Sequence, residues 1–121
     1  MNNSTIITID KTKFEFHFGI GFLGELLNGL DLGIEELMNE VQKNPFRMIP
    51  IIMHGAAKYG FERKGEECTY TVYDFVDYID ADGGIQAKSV EKFLQSFTNS
   101  MIKDVPKEEG TVKKIKAPKG K

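Results

Sequence analysis

The chain has 121 residues, of which 40 % are hydrophobic and 28 % charged, the size and balance of one ordinary globular domain. Its longest uncharged apolar stretch, Met48 to Ala57, is half of the ~20 residues a membrane-spanning helix needs, so no transmembrane segment is expected. A formal charge of −2 and a single cysteine argue against a strongly basic nucleic-acid binder and exclude an internal disulfide.

Charge is unevenly placed. Residues 1–103 carry ten basic and fifteen acidic side chains, a balance of −5, while residues 104–121 carry six lysines and three acids, a balance of +3. An acidic body with a short basic tail predicts a compact domain over 1–103 and a disordered solvated segment over 104–121, because the tail has too little apolar content to pack. The opening Met1-Asn2-Asn3-Ser4-Thr5 has neither the basic region nor the apolar stretch of a secretion signal, so a reducing cytoplasm is the expected compartment.

Thr5-Ile6-Ile7-Thr8-Ile9 and Lys13-Phe14-Glu15-Phe16-His17-Phe18 are rich in β-branched and aromatic residues and predict a hairpin over about 4–18. Phe14, Phe16 and Phe18 alternate with Glu15 and His17, the period of a half-buried strand. The polar Asp10-Lys11-Thr12 is the expected turn. From about 20 to 102 the pattern is helical. Leu23, Leu26, Leu27 and Leu30 form one apolar stripe, and Ile34, Leu37, Met38 and Val41 form a second. Asn44-Pro45 reads as an N-cap followed by proline at the first helical position. The helix it opens runs through Met53, Ala56 and Ala57, with Pro50 expected to kink it or delay its start.

Gly60 to Thr69 is polar and reads as an exposed loop. Thr71 and Asp74 have the spacing of a capping box before the stripe Val72, Phe75, Val76 and Ile79. Asp82-Gly83-Gly84 ends that helix, and Val90, Phe93, Leu94, Phe97 and Met101 mark the last one. The expected fold class is α+β, mostly α: an N-terminal hairpin, about five short amphipathic helices and the basic tail.

Residues that carry chemistry are sparse. Neither His17 nor His54 has a second histidine at helical metal-ligand spacing. Cys68 follows Glu66-Glu67, whose charge disfavours the thiolate, so a surface thiol is expected. Asp74, Asp77, Asp80 and Asp82 lack the register of a calcium loop and read as a solvated helix face or an acidic contact surface. Gly19-Ile20-Gly21-Phe22-Leu23-Gly24 matches the glycine spacing of a dinucleotide fingerprint. The expected hairpin before it and helix after it do not make the required βαβ unit. The sequence assigns no catalytic, cofactor-binding or metal-ligating residue, and an enzyme is not expected. It names no partner-contacting residues either.

The order Lys13-Phe14-Glu15-Phe16-His17-Phe18-Gly19, then Gly21-Phe22-Leu23-Gly24-Glu25-Leu26, resembles the start of the tail assembly chaperones of long-tailed bacteriophages, especially those of Gram-positive hosts. The stretch from Ile49 to Tyr59 resembles that family's aliphatic, small, then aromatic helix. Val72-Tyr73-Asp74-Phe75-Val76-Asp77-Tyr78-Ile79 resembles its acidic helix. The resemblance spans residues 5–102.

It implies a non-catalytic protein of the host cytoplasm, absent from the mature virion. Such a protein binds the tape measure protein, keeps its apolar helices soluble and promotes tail tube polymerisation around it. In many such proteins a one-base ribosomal frameshift adds a second domain that engages the tail tube protein, and Lys119-Gly120-Lys121 is compatible with a slippery coding run. A homo-oligomer is compatible with apolar stripes shared among short helices. No nucleic acid, membrane or cofactor is implied. Met38, Met48, Met53 and Met101 either fill the core or offer adaptable contact surface. The competing expectation is a head–tail connector or minor tail component retained in the virion.

Overall fold

The computed structural model describes residues 4–104. Strands β1 (Ser4–Ile9) and β2 (Thr12–His17) form a two-stranded antiparallel sheet, followed by α1 (Ile20–Leu30), α2 (Ile34–Lys43), α3 (Pro45–Arg63), α4 (Val72–Asp82) and α5 (Lys88–Asp104). The fold is thus α+β and mostly α, with α5 reaching Asp104. The rest of the expected disordered tail, 105–121, lies outside the described residues.

The hairpin turn is tighter than the sequence suggests. Thr12 already belongs to β2, paired with Ile9, so only Asp10 and Lys11 make the loop. Both have positive φ, 48° and 69°, the backbone of a two-residue turn whose twist matches that of the strands. The cross-strand register puts Ile7 opposite Phe14 and Thr5 opposite Phe16. Ile7, Ile9, Phe14 and Phe16 therefore share one face, and all four are buried.

A lone hairpin is marginal in water, and here α4 and α5 close over its buried face. Phe16 meets Phe93 of α5 edge-on at 4.8 Å. Phe14 lies 5.0 Å from both Phe75 and Tyr78 of α4. Phe18, just beyond β2, continues the row to Phe93, Phe97 and Phe22 at 5.7–6.2 Å. Such aromatic pairs contribute about 0.5–1.5 kcal/mol each beyond their area burial.

Helix α3 packs along β2. At Gly60 a Cβ would stand 3.4 Å from the Glu15 carbonyl oxygen and 3.5 Å from the His17 side chain, so the absent side chain lets the helix lie on the strand. Met48, Met53 and Met101 are buried and Met38 packs against the same core, so the methionines fill the interior.

Several helix ends differ from expectation. Asn44 precedes Pro45 as expected, yet its side chain caps nothing and instead donates to Glu40 Oε1 at 2.9 Å. Proline at the first position already removes one unsatisfied N–H, which reduces the need for a cap. Pro50 neither interrupts nor delays α3, whose other buried contacts hold it as one helix of 19 residues. That helix also runs past Gly60 to Arg63, where an exposed loop was expected. It stops at a Schellman motif: Glu66 N–H donates to Phe61 O at 2.9 Å and Gly65 N–H to Glu62 O at 3.0 Å, with Gly65 at φ 76°. The Thr71 box forms as expected, Asp74 N–H donating to Thr71 Oγ1 at 3.2 Å and Thr71 N–H to Asp74 Oδ2 at 2.8 Å.

Lys11 occupies a left-handed conformation that costs a side-chain-bearing residue about 1–2 kcal/mol. Lys11→Gly relieves that strain and creates the Asp-Gly pair this turn prefers. Thermal unfolding is expected to rise by ~4–8 °C for each 1 kcal/mol recovered.

Candidate functional site

The chemistry-bearing residues do not converge. Among the described residues no group of three or more His, Cys, Asp and Glu side chains is placed to hold a metal ion. Gly19 has φ 114°, a conformation available essentially to glycine, and it turns the chain from β2 into α1. The sheet around it is antiparallel and two-stranded, so the glycine spacing serves that junction and not a dinucleotide crossover.

The two histidines are structural. His54 places Nε2 3.1 Å from Tyr70 O. A carbonyl only accepts, so the ring donates from Nε2, fastening the loop after α3 to the helix. Tyr70 in turn packs edge-on against Phe14 at 5.1 Å. Cys68, expected as a surface thiol, is half-buried in the loop after α3, beside the same carbonyl.

His17 is half-buried on the outer face of β2, 5.4 Å from the Tyr59 ring. Burial lowers its pKa from the ordinary value of 6.5, and nearby Arg63 pushes the same way against the opposing pull of Glu15. Glu15 is paired with Lys64, whose hydrogen bond holds its carboxyl below the usual range.

The acidic residues of α4 divide by role. Asp74 caps the helix. Asp82, expected on a solvated face, is instead half-buried and joins three elements: Oδ1 accepts from Asp10 N–H of the hairpin turn at 3.0 Å, and Oδ2 accepts from the Ser89 hydroxyl at the start of α5. Ser89 is the buried polar side chain among the described residues, 9 % exposed. No local sequence pattern marks this tie, since Asp10 and Asp82 are 72 positions apart. Asp77 and Asp80 do remain on the exposed face.

What the structure brings together is an apolar surface. Between the first turns of α3 and the body of α4 lies a cleft of about 170 Å³, lined by Phe46, Pro50, Val76, Ile79, Ile85 and Asp80. Phe46 is 77 % exposed, and Tyr73, one turn before Val76 on α4, is 80 % exposed. A second cleft of about 210 Å³ separates α1 from α3, floored by Phe22, Leu26, Leu30 and Ile51 and edged by Glu25 and Lys58. Gly55 also lines it, where Phe22 and Leu26 come within 3.5 and 3.6 Å of the position a Cβ would take. Neither Phe46 nor Tyr73 is expected as a contact residue from the sequence. Their signal was their position off the apolar stripes, Phe46 beside an N-cap and Tyr73 between Val72 and Asp74.

No family model matches the chain, and no curated protein or solved structure matches it. Among the described residues no helix is long and apolar enough to cross a membrane.

Two outcomes test this geometry. Asp82→Ala strands the buried Ser89 hydroxyl and the Asp10 N–H, and is expected to cost about 2–3 kcal/mol in denaturant unfolding. The depressed His17 pKa means the unfolded chain binds the proton more readily. Its contribution to stability is therefore full above about pH 6.5 and is lost as pH falls through the lower folded value. Melting temperature is expected to drop between about pH 7 and pH 5, and His17→Gln to flatten that drop.

Proposed function

We propose that this chain is a non-catalytic chaperone of phage tail assembly that binds apolar helical segments of the tape measure protein in the host cytoplasm and releases them before the virion matures. The observation that carries the reading is the open apolar cleft between α3 and α4, with Phe46 exposed on its wall and Tyr73 exposed on α4 one turn before Val76. A soluble domain gains nothing in stability from large side chains so placed, whereas an amphipathic helix laid in such a cleft covers them. The resemblance of residues 5–102 to tail assembly chaperones supplies the partner. Participation of the tail tube protein through a frameshifted longer product belongs to the same reading.

Co-expression with the tape measure protein of the same phage or prophage, followed by pull-down of this chain, is the test. The tape measure is expected to become soluble and to co-purify. If it stays insoluble while this chain is folded, the chaperone reading fails. Detection of this chain by mass spectrometry in purified particles would move the assignment to a retained head–tail connector or minor tail component.

A further inference from the structure

We propose, building on the chaperone reading, that the α3–α4 cleft is the helix-docking site and that it selects amphipathic helices whose apolar stripe is flanked by lysine or arginine. Phe46 and Pro50 form one wall, Val76 and Ile79 the other, and Ile85 the end, around a space of about 170 Å³. That volume suits one or two aliphatic anchors of an incoming helix, and Tyr73 stands exposed on the adjoining turn of α4.

The acids near the cleft differ in whether they are already engaged. Residues 65–87 contain six acidic side chains and no lysine or arginine. Glu66 and Glu67 lie in the loop after α3. Asp74 is committed to the N-cap and Asp82 to Asp10 and Ser89. The carboxylates of Asp77 and Asp80 make no hydrogen bond or ion pair among the described residues, and both are exposed. At about 100° per residue, Tyr73, Val76, Asp77 and Asp80 fall within one ~100° sector of α4. The sector therefore presents apolar contact beside two unpaired negative charges, the complement of a basic amphipathic helix. On the opposite wall the exposed Arg47 lies about 100° around α3 from Phe46 and about 60° from Pro50, so the negative charge of the cleft sits on its α4 side. The α1–α3 cleft lacks this bias, since Glu25 and Lys58 edge it together.

The probes are two designed peptides with the same leucine stripe at helical spacing, one completed with lysine and the other with glutamate. Binding to the full chain is measured by fluorescence anisotropy at low and moderate salt. The Leu/Lys peptide is expected to bind at least about tenfold more tightly than the Leu/Glu peptide, and less tightly as salt rises. The Phe46→Ser/Tyr73→Ser double variant changes only exposed side chains and is expected to melt like the parent while losing at least about tenfold in affinity. Asp77→Asn/Asp80→Asn is expected to weaken binding severalfold and reduce its salt dependence, while Glu66→Gln/Glu67→Gln leaves it unchanged.

Equal binding of both peptides overturns the proposal. So does an unaffected aromatic double variant, or a Glu66/Glu67 variant that loses as much as the Asp77/Asp80 one. A change from dimer to monomer in the aromatic variant would also overturn it, by assigning the face to a second copy of this chain. Co-expression separates the two readings. If the parent and the aromatic variant both keep the tape measure soluble, the cleft assignment falls and the chaperone reading stands. If neither does so while the peptides behave as expected, the reverse holds.

Discussion

Phe14, Phe16 and Phe18 are the contacts on which the rest of this domain depends. A two-stranded sheet has one face to bury and no second sheet to bury it against, so the phenylalanine row must be covered by helices from elsewhere in the chain. Phe75 and Tyr78 reach it from α4, Phe93 and Phe97 from α5, and Phe22 from α1. Helices α1, α4 and α5 are thereby positioned by the phenylalanine row and α3 by its packing on β2, while α2 packs on α3. Neighbouring helices contact one another with α3 as the common partner of α1, α2 and α4.

Polar ties then set the angles that aromatic packing leaves loose. Asp82 holds the hairpin turn to the end of α4 and the start of α5. His54 holds the loop carrying Tyr70, and Lys64 holds the end of α3 to Glu15 of β2. All three join segments distant in sequence. Asp82 and Lys64 bind the hairpin to the second half of the chain, and His54 closes the loop between α3 and α4.

The same economy explains the exposed aromatics. The interior is filled by Phe75, Ile79, Met48, Ile49, Ile52 and Met53, so Phe46 at the start of α3 and Tyr73 at the start of α4 have no position left inside. The first turns of α3 and the second half of α4 leave between them an apolar cleft with Asp80 on its lining. A partner helix laid there would extend the packing that already joins α3 to α4, which is the physical basis for the chaperone and docking proposals.

Local pattern was enough for the element order, the apolar faces of all five helices and the Thr71 box, because periodicity and short-range hydrogen bonds are properties of neighbouring residues. It also contained the true end of α3, in Gly65 at the Schellman position, although the polarity of residues 60–69 obscured it. Tertiary contact decided the remainder. Pro50 stays helical because one face of α3 is buried from Met48 to Gly60. Asp82 leaves the solvated face because the Asp10 N–H and the Ser89 hydroxyl arrive beside it. The candidate surface belongs to this second group. Phe46 and Val76 are 30 residues apart in the chain, and only the packing of α3 on α4 puts them on one cleft.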